Sequence, residues 1–294
     1  MPAITRSSIT LPAEVSSEIL SKVQEASAVM QLARQINLPG RGVTIPVITS
    51  DPEAAWVSEG SAKSVSAPGL STKLMTPYKL AVIVPFSMEF TRDAKTLYDE
   101  LVRRLPLALA QKFDATVFGK VDKPGDNFDN FAGVDAQSLV GLDGAYAGIV
   151  DADTNISAAG GIVNGYAISP QGKGVLLRAV DDNGRPLFIN NISEGAVPMI
   201  LGAKTLQSKG AYIEGKAATS TPETLGFVGD WTNAVYGTVE GIDITISDQA
   251  TIVDGDNTYN LWQDNMVAVR AEIELGFRAD TSVFNKLTGT TPTE

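Results

Sequence analysis

The sequence predicts an α+β fold made of one long helix, an antiparallel sheet covered on one side only, and segments that reach beyond the body. Three observations predict it. Between Thr91 and Gly119, Leu97, Leu101, Leu105, Leu109 and Phe113 recur every four residues, the spacing of one helical stripe. Near the C-terminus the apolar residues alternate instead. Val267, Val269, Ala271, Ile273 and Leu275 fall on one parity, and Met266, Ala268, Arg270, Glu272 and Glu274 on the other, as in a sheet backed on one face. Third, the 294-residue chain is 44% hydrophobic but only 19% charged, against about 25% in an average soluble domain. Part of its surface is therefore expected to be covered by something other than water. At roughly 150 residues per domain the length gives one large or two modest domains, either able to bury a core.

The first forty residues read as an arm. Pro12 opens a short helix whose stripe is Val15, Ile19 and Val23. SAVMQLARQINLPG then loses helical spacing and closes at the turn Pro39-Gly40. A stripe that narrow does not hold a helix together in water, so the arm needs a body to lie on. From Gly42 to Phe86 the pattern is β. VTIPVI and KLAVIVPF read as two strands, the first irregular or at an edge because of Pro46. The long Ser-, Ala-, Gly- and Pro-rich stretch between them carries one tryptophan, Trp56. A compact domain seldom keeps so long a connection without a use for it, and an extended hairpin that touches something else is the expected form.

In the helical stripe, Pro106 cannot donate to the carbonyl of Val102 and is expected to bend the rod. Gly119 is the expected stop. From about 130 to 226 short strands and helices alternate with Gly-rich turns. YAISP reads as a strand, GKGVLLRAVDD as a helix, and GRPLFIN, VPMILGAKTL and AYIEG as strand-like pieces. After Trp231 come two long strands, AVYGTVEGIDITIS and NLWQDNMVAVRAEIELGF.

Several classes of chemistry are excluded by composition. With no Cys and no His, disulfides, Cys/His zinc sites, thiol nucleophiles, Ser-His-Asp triads and haem ligation by either residue are all absent. A net charge of −11 argues against an electrostatic grip on phosphate backbones. No apolar run approaches the ~20 residues of a membrane-spanning helix, and the N-terminal residues lack the apolar stretch of a signal peptide. GAYIEGKA at 210–217 has P-loop spacing, but Ala217 stands where the magnesium-holding Ser or Thr belongs. DADTNIS at 151–157 opens like a calcium loop, but Ile156 stands where glycine is needed and Ile162 where glutamate is needed. Asp126, Asp129, Asp254 and Asp256 read better as solvated acidic loops than as a cation site. A carboxylate pair of glycosidase type has no motif to favour it among 34 acidic residues. No metal, cofactor or catalytic residue is expected.

In this order the parts resemble the major capsid proteins of tailed bacteriophages with the Hong Kong 97-type fold. The resemblance rests on the proline-led helix and SAVMQLARQI, then GVTIPV, AAWVSEGSAKSVS and KLAVIVPFSMEFTRD. It continues through KFDATVFG (with Asp114 and Gly119), YAISP, VDDNGRPLF, MILG and AVRAEIELGF. It implies an N-terminal arm over 1–41 and an extended β-hairpin loop over 42–86. A peripheral domain with the spine helix would take 87–131 and 227–276, and an axial α/β domain 132–226 and 277–294. It further implies self-assembly into pentamers and hexamers of an icosahedral phage head enclosing double-stranded DNA without specific binding. Assembly would take place in the host bacterial cytoplasm, with a portal and separate scaffolding or decoration proteins as further partners. The arm begins within a dozen residues of Met1, so a scaffold is expected to be a separate protein or absent.

Trp56, Glu59, Lys63, Lys73, Arg92, Arg103 and Arg104 are the expected subunit-interface residues, and Pro106 the expected helix hinge. Some relatives cross-link a loop lysine to a neighbour's asparagine. Lys63 and Lys73 lie in the right part, but no matching asparagine or assisting glutamate is found, and cross-linking is not predicted. The alternatives are an encapsulin-type nanocompartment of the same fold and an unrelated α/β enzyme. The arm and VDDNGRPLF look more like the phage branch.

Overall fold

The computed structural model describes residues 21–50, 56–57, 69–88, 94–140, 144–180, 183–188, 199–239, 241–255 and 257–291. A helical stretch at 21–26 leads into α1 (Ala28–Leu32) and then β1 (Arg34–Asn37), where the sequence reading found only lost periodicity. Next come β2 (Val43–Ser50), β3 (Gly69–Met75), β4 (Tyr78–Ser87) and the long helix α2 (Ala94–Val117). The middle of the chain supplies β5 (Asp135–Ser138), α3 (Gly144–Ala158), β6 (Gly165–Ile168), α4 (Pro170–Arg178), β7 (Met199–Ile200) and β8 (Ala203–Gln207). The remainder is β9 (Thr224–Gly229), β10 (Ala234–Thr238), β11 (Asp243–Ser247), β12 (Thr251–Asp254), β13 (Asn257–Asn260), β14 (Met266–Ala279) and β15 (Phe284–Thr288).

Two larger sheets organise these strands. In the five-stranded one, β14 is the centre. β4 runs antiparallel along one side, from Met266↔Ser87 to Leu275↔Tyr78, and β11 and β10 follow each other along the other side. The stretch AVYGTVEGIDITIS, expected as one strand, is thus broken. Between Thr238↔Leu275 and Asp243↔Glu272 the register shifts, four positions of the chain standing against two on β14. β1 adds in parallel to β10, Arg34 opposite Val235. The six-stranded sheet has the order β5-β15-β9-β6-β8-β7, and a separate two-stranded ribbon joins β12 to β13.

The hairpin differs from expectation. β2 pairs with β3, from Val43↔Met75 to Ser50↔Gly69, and KLAVIVPF lies in the five-stranded sheet as β4. Its alternation explains why: Leu80, Val82, Val84 and Phe86 pack on the main core, an apolar face that a free hairpin leaves wet. Thr76-Pro77 separates the two strands, because a proline holds its predecessor extended and gives no ladder donor.

Along α2 the expected stripe is buried where its side chains are described, at Leu105, Leu109, Phe113 and Val117. The helix continues through Pro106 and, at ~1.5 Å per residue, its 24 residues span about 36 Å. It stops at Gly119, whose φ of +80° suits glycine and whose missing Cβ would lie 2.7 Å from the Ala132 methyl. Phe113 meets Phe128, Tyr236 and Phe277 edge-on, while Phe118 stacks on Phe227 at 4.8 Å and Phe131 on Phe284 at 4.4 Å. One core therefore runs from the five-stranded sheet, past the end of α2, into the six-stranded sheet. The calcium-like run at 151–157 is part of α3, and the P-loop-like run at 210–217 is a turn whose Ile213 and Lys216 bridge to Thr224 and Thr221.

Candidate subunit interface

The hairpin is rooted on the outer face of the five-stranded sheet. There Gly237 and Gly276 stand opposite each other on β10 and β14. Their bare backbone admits Leu38, from the end of the arm, and Met75, from the end of β3. A Cβ on Gly276 would lie 2.7 Å from Met75 Cγ, and one on Gly237 3.0 Å from Leu38 Cβ. Leu38 and Met75 are both fully buried and form a small second core with Val235, edged by Ile36, Val43, Ile45 and Val239.

A polar clamp surrounds this plug. Arg278, at the end of β14, donates from Nε to the Leu74 carbonyl at 2.8 Å and from Nη1 to Asp129 Oδ1, also at 2.8 Å. Its Nη2 reaches Asn127 Oδ1 at 2.9 Å. Asp129 Oδ2 accepts from the Ala279 N–H at 3.2 Å and from Lys73 Nζ at 3.4 Å, and Lys73 donates also to the Ala279 carbonyl at 2.8 Å. Lys73, expected at a contact between subunits, is engaged inside its own subunit. A lysine read from sequence can be placed on a hairpin, but its direction depends on a partner, Asp129, far along the chain.

The arm is held by another carboxylate. Asp114, on α2, is buried, with Oδ1 accepting from Ser27 Oγ at 2.5 Å and from the Val29 N–H at 3.4 Å. Its Oδ2 accepts from the Ala28 N–H at 3.0 Å and from Ser208 Oγ at 2.6 Å. Ser27 in turn caps α1 by accepting from the Met30 N–H, and Ser208 accepts from Gly210 N–H. Desolvation pushes the Asp114 carboxyl above its ordinary value of 3.8, against the lowering effect of the Ser208, Ser27, Ala28 and Val29 hydrogen bonds. Asp114 was legible only as part of the resemblance. Its signal in the sequence is an aspartate beside the apolar stripe of a helix, where an unpartnered charge costs a great deal.

What faces outward is apolar in places. Trp56 is fully exposed, and Trp262 is 70% exposed. Sequence reasoning missed Trp262 by placing it inside a long strand. It lies in the turn before β14, which starts at Met266, and the Asp-Asn pair that follows it was the available turn signal. Arg104 is exposed on α2. Arg103 and Pro106 lie on the same helix, their side chains not among those described, and Glu59, Lys63 and Arg92 lie outside the described residues. Asp256 is also outside them, and Asp129 is occupied by the clamp. Among the described residues no three acidic groups converge on a cation site.

Comparison with known proteins follows the same lines. The family model for the phage capsid family matches residues 7–283. The probable major capsid protein gp17 of Mycobacterium phage L5 is 30% identical over 303 residues, covering 97% of this chain and 90% of that protein. Its namesake in Mycobacterium phage D29 is 28% identical, covering 95% and 89%. Among solved structures, one from Microbacterium phage Oxtober96 superposes with a TM-score of 0.71 at 20% identity, covering 90% of this chain and 91% of that one. One from Gordonia phage Cozz gives 0.70 at 22% identity, covering 90% and 87%.

Proposed function

This chain belongs to the phage capsid family, and from that membership we propose that it closes an icosahedral head as pentamers and hexamers of itself around double-stranded DNA. Its fold is the Hong Kong 97 type and its role is that of a major capsid protein, a structural part of the virion rather than an enzyme. The observation that supports the assembly reading best is the hairpin. Its root is fastened to the sheet by the Leu38–Met75 plug and the Arg278 clamp, while Trp56 is fully exposed. Large aromatic anchors dominate interface energies, and Trp56 is the natural anchor against a neighbouring subunit. Glu59, Lys63, Arg92, Arg103 and Arg104 are the further contact candidates, and Pro106 the hinge that lets one chain sit in rings of different curvature. In this reading residues 1–41 are the arm, and the extended loop lies within 42–86, its β4 stretch belonging to the five-stranded sheet. Residues 87–131 with 227–276 form the peripheral part, and 132–226 with 277–294 the axial part.

The net charge of −11 supports containment of DNA by enclosure, since a chain with few clustered cations releases few counterions. A portal, and separate scaffolding or decoration proteins, complete the proposed partners, with assembly in the host bacterial cytoplasm. Electron microscopy of the purified protein tests the reading. Closed shells are expected, and the Trp56→Ala chain should lose shells while its unassembled subunits melt as before. Small particles alone, or shells filled with a protein cargo, would overturn the head reading.

A further inference from the structure

The turn between β7 and β8 breaks a local rule. Ile200 pairs with Ala203, and the two residues that close the hairpin, Leu201 and Gly202, both have positive φ, +47° and +83°. Glycine, asparagine and aspartate take such positions readily, whereas a leucine Cβ crowds its own backbone there. Among the described residues two other non-glycine residues have positive φ, Ser220 and Asn265, both small and polar. Leu201 is the exception, and its subunit does not reward it: the side chain is 54% exposed, and Met199 two residues earlier is 60% exposed. Ile200 between them is buried in the main core. One face of this hairpin is thus anchored, and the other carries two large apolar side chains into solvent at the cost of a relaxed turn.

We propose that Met199 and Leu201 form an apolar knob that seats in a second copy of this chain, an inference that rests on the shell reading above. A second copy is the occupant because a capsid subunit is surrounded mainly by its own kind, and because the tip itself, Met199 to Gly202, carries no charge. Nucleic acid would call for a cluster of cations, and the hairpin over 199–207 carries a single cation, the exposed Lys204 opposite Met199. Strained backbone persists where the surroundings over-determine it, and it clusters at functional contacts.

Leu201→Asn relaxes the turn and removes the apolar tip. Unassembled subunits of this variant should melt at the same temperature as the parent or slightly above, while the yield of closed shells falls about tenfold, the loss expected for one interface anchor. Leu201→Met, equally strained but apolar, should keep the yield. The chain has no cysteine, so Leu201→Cys gives a single thiol. Its labelling by a maleimide should be fast in unassembled subunits and at least several-fold slower in shells made of this chain alone. An Asn variant that assembles as well as the parent, or a thiol labelled equally in shells, overturns the knob and leaves the shell reading standing. Protection that needs another phage protein overturns the second copy as occupant. A parent chain that forms no shells overturns both.

Discussion

Asp114 and Asp129 each gather donors from segments far apart in sequence, Asp114 from 27–29 and Ser208, Asp129 from Lys73, Arg278 and Ala279. The first lies inside the core, and its donors are two hydroxyls and two backbone N–H groups, with no cation among them. The second lies at the rim, its side chain 19% exposed, and two cations approach it. A buried junction of neutral donors is all or nothing, because any donor left behind stays dry and unpaired. A rim junction of charges is partly wet and screened, so water replaces what is lost. The arm is therefore held by a junction whose loss is costly, and the hairpin root by one whose loss costs less.

The largest expected effect tests the first half of that contrast. Asp114→Ala strands the Ser27 and Ser208 hydroxyls and the Ala28 N–H, and should cost about 3–5 kcal/mol, read from the urea midpoint of unassembled subunits. A midpoint unchanged from the parent would break the contrast. Next, Arg278→Gln should cost about 1–2 kcal/mol. Its deficit relative to the parent should shrink as salt rises from low to near 1 M; a deficit as large as that of Asp114→Ala would place the rim clamp among the essential contacts.

The smallest effect is in pH dependence. With its carboxyl held above 3.8, folded Asp114 keeps its proton to a higher pH than the unfolded chain does. The folded state then binds more protons, and stability declines as pH rises from about 3.8 through the raised value, flattening beyond it. Melting temperatures of the parent should therefore fall relative to Asp114→Asn over that interval. A gap that moves the other way would mean that the four hydrogen bonds to the carboxylate outweigh its burial.

Periodicity made part of this legible. The stripe Leu105, Leu109, Phe113, Val117 and the alternation from Val267 to Leu275 are buried as read, because both patterns report burial directly. Pairing partners were not legible. β4 has the same alternation whether it borders β3 or β14, and what decides is a strand near the far end of the chain. β1 was missed for the same reason: RQIN has almost no strand character of its own and becomes a strand by adding to β10. At the candidate site Lys73 and Trp56 both come from the loop region, and only the chain's distant parts, Asp129 and Ala279, decide that Lys73 is tied down.

The pairing of β4 with β14 also sets an order in time. β4, with the apolar face of Leu80, Val82, Val84 and Phe86, leaves the ribosome long before the strand that borders it from Met266 to Leu275. Pairings so distant along the chain are slow, because the loop between them must close first, and an apolar strand kept waiting is open to wrong partners. Completion of the sheet thereby waits until β14 has been made. The Gly276 that seats Met75 and the Arg278 that clamps Leu74 belong to that same late strand. A nascent chain that has not yet made β14 therefore has neither a finished sheet nor a seated hairpin.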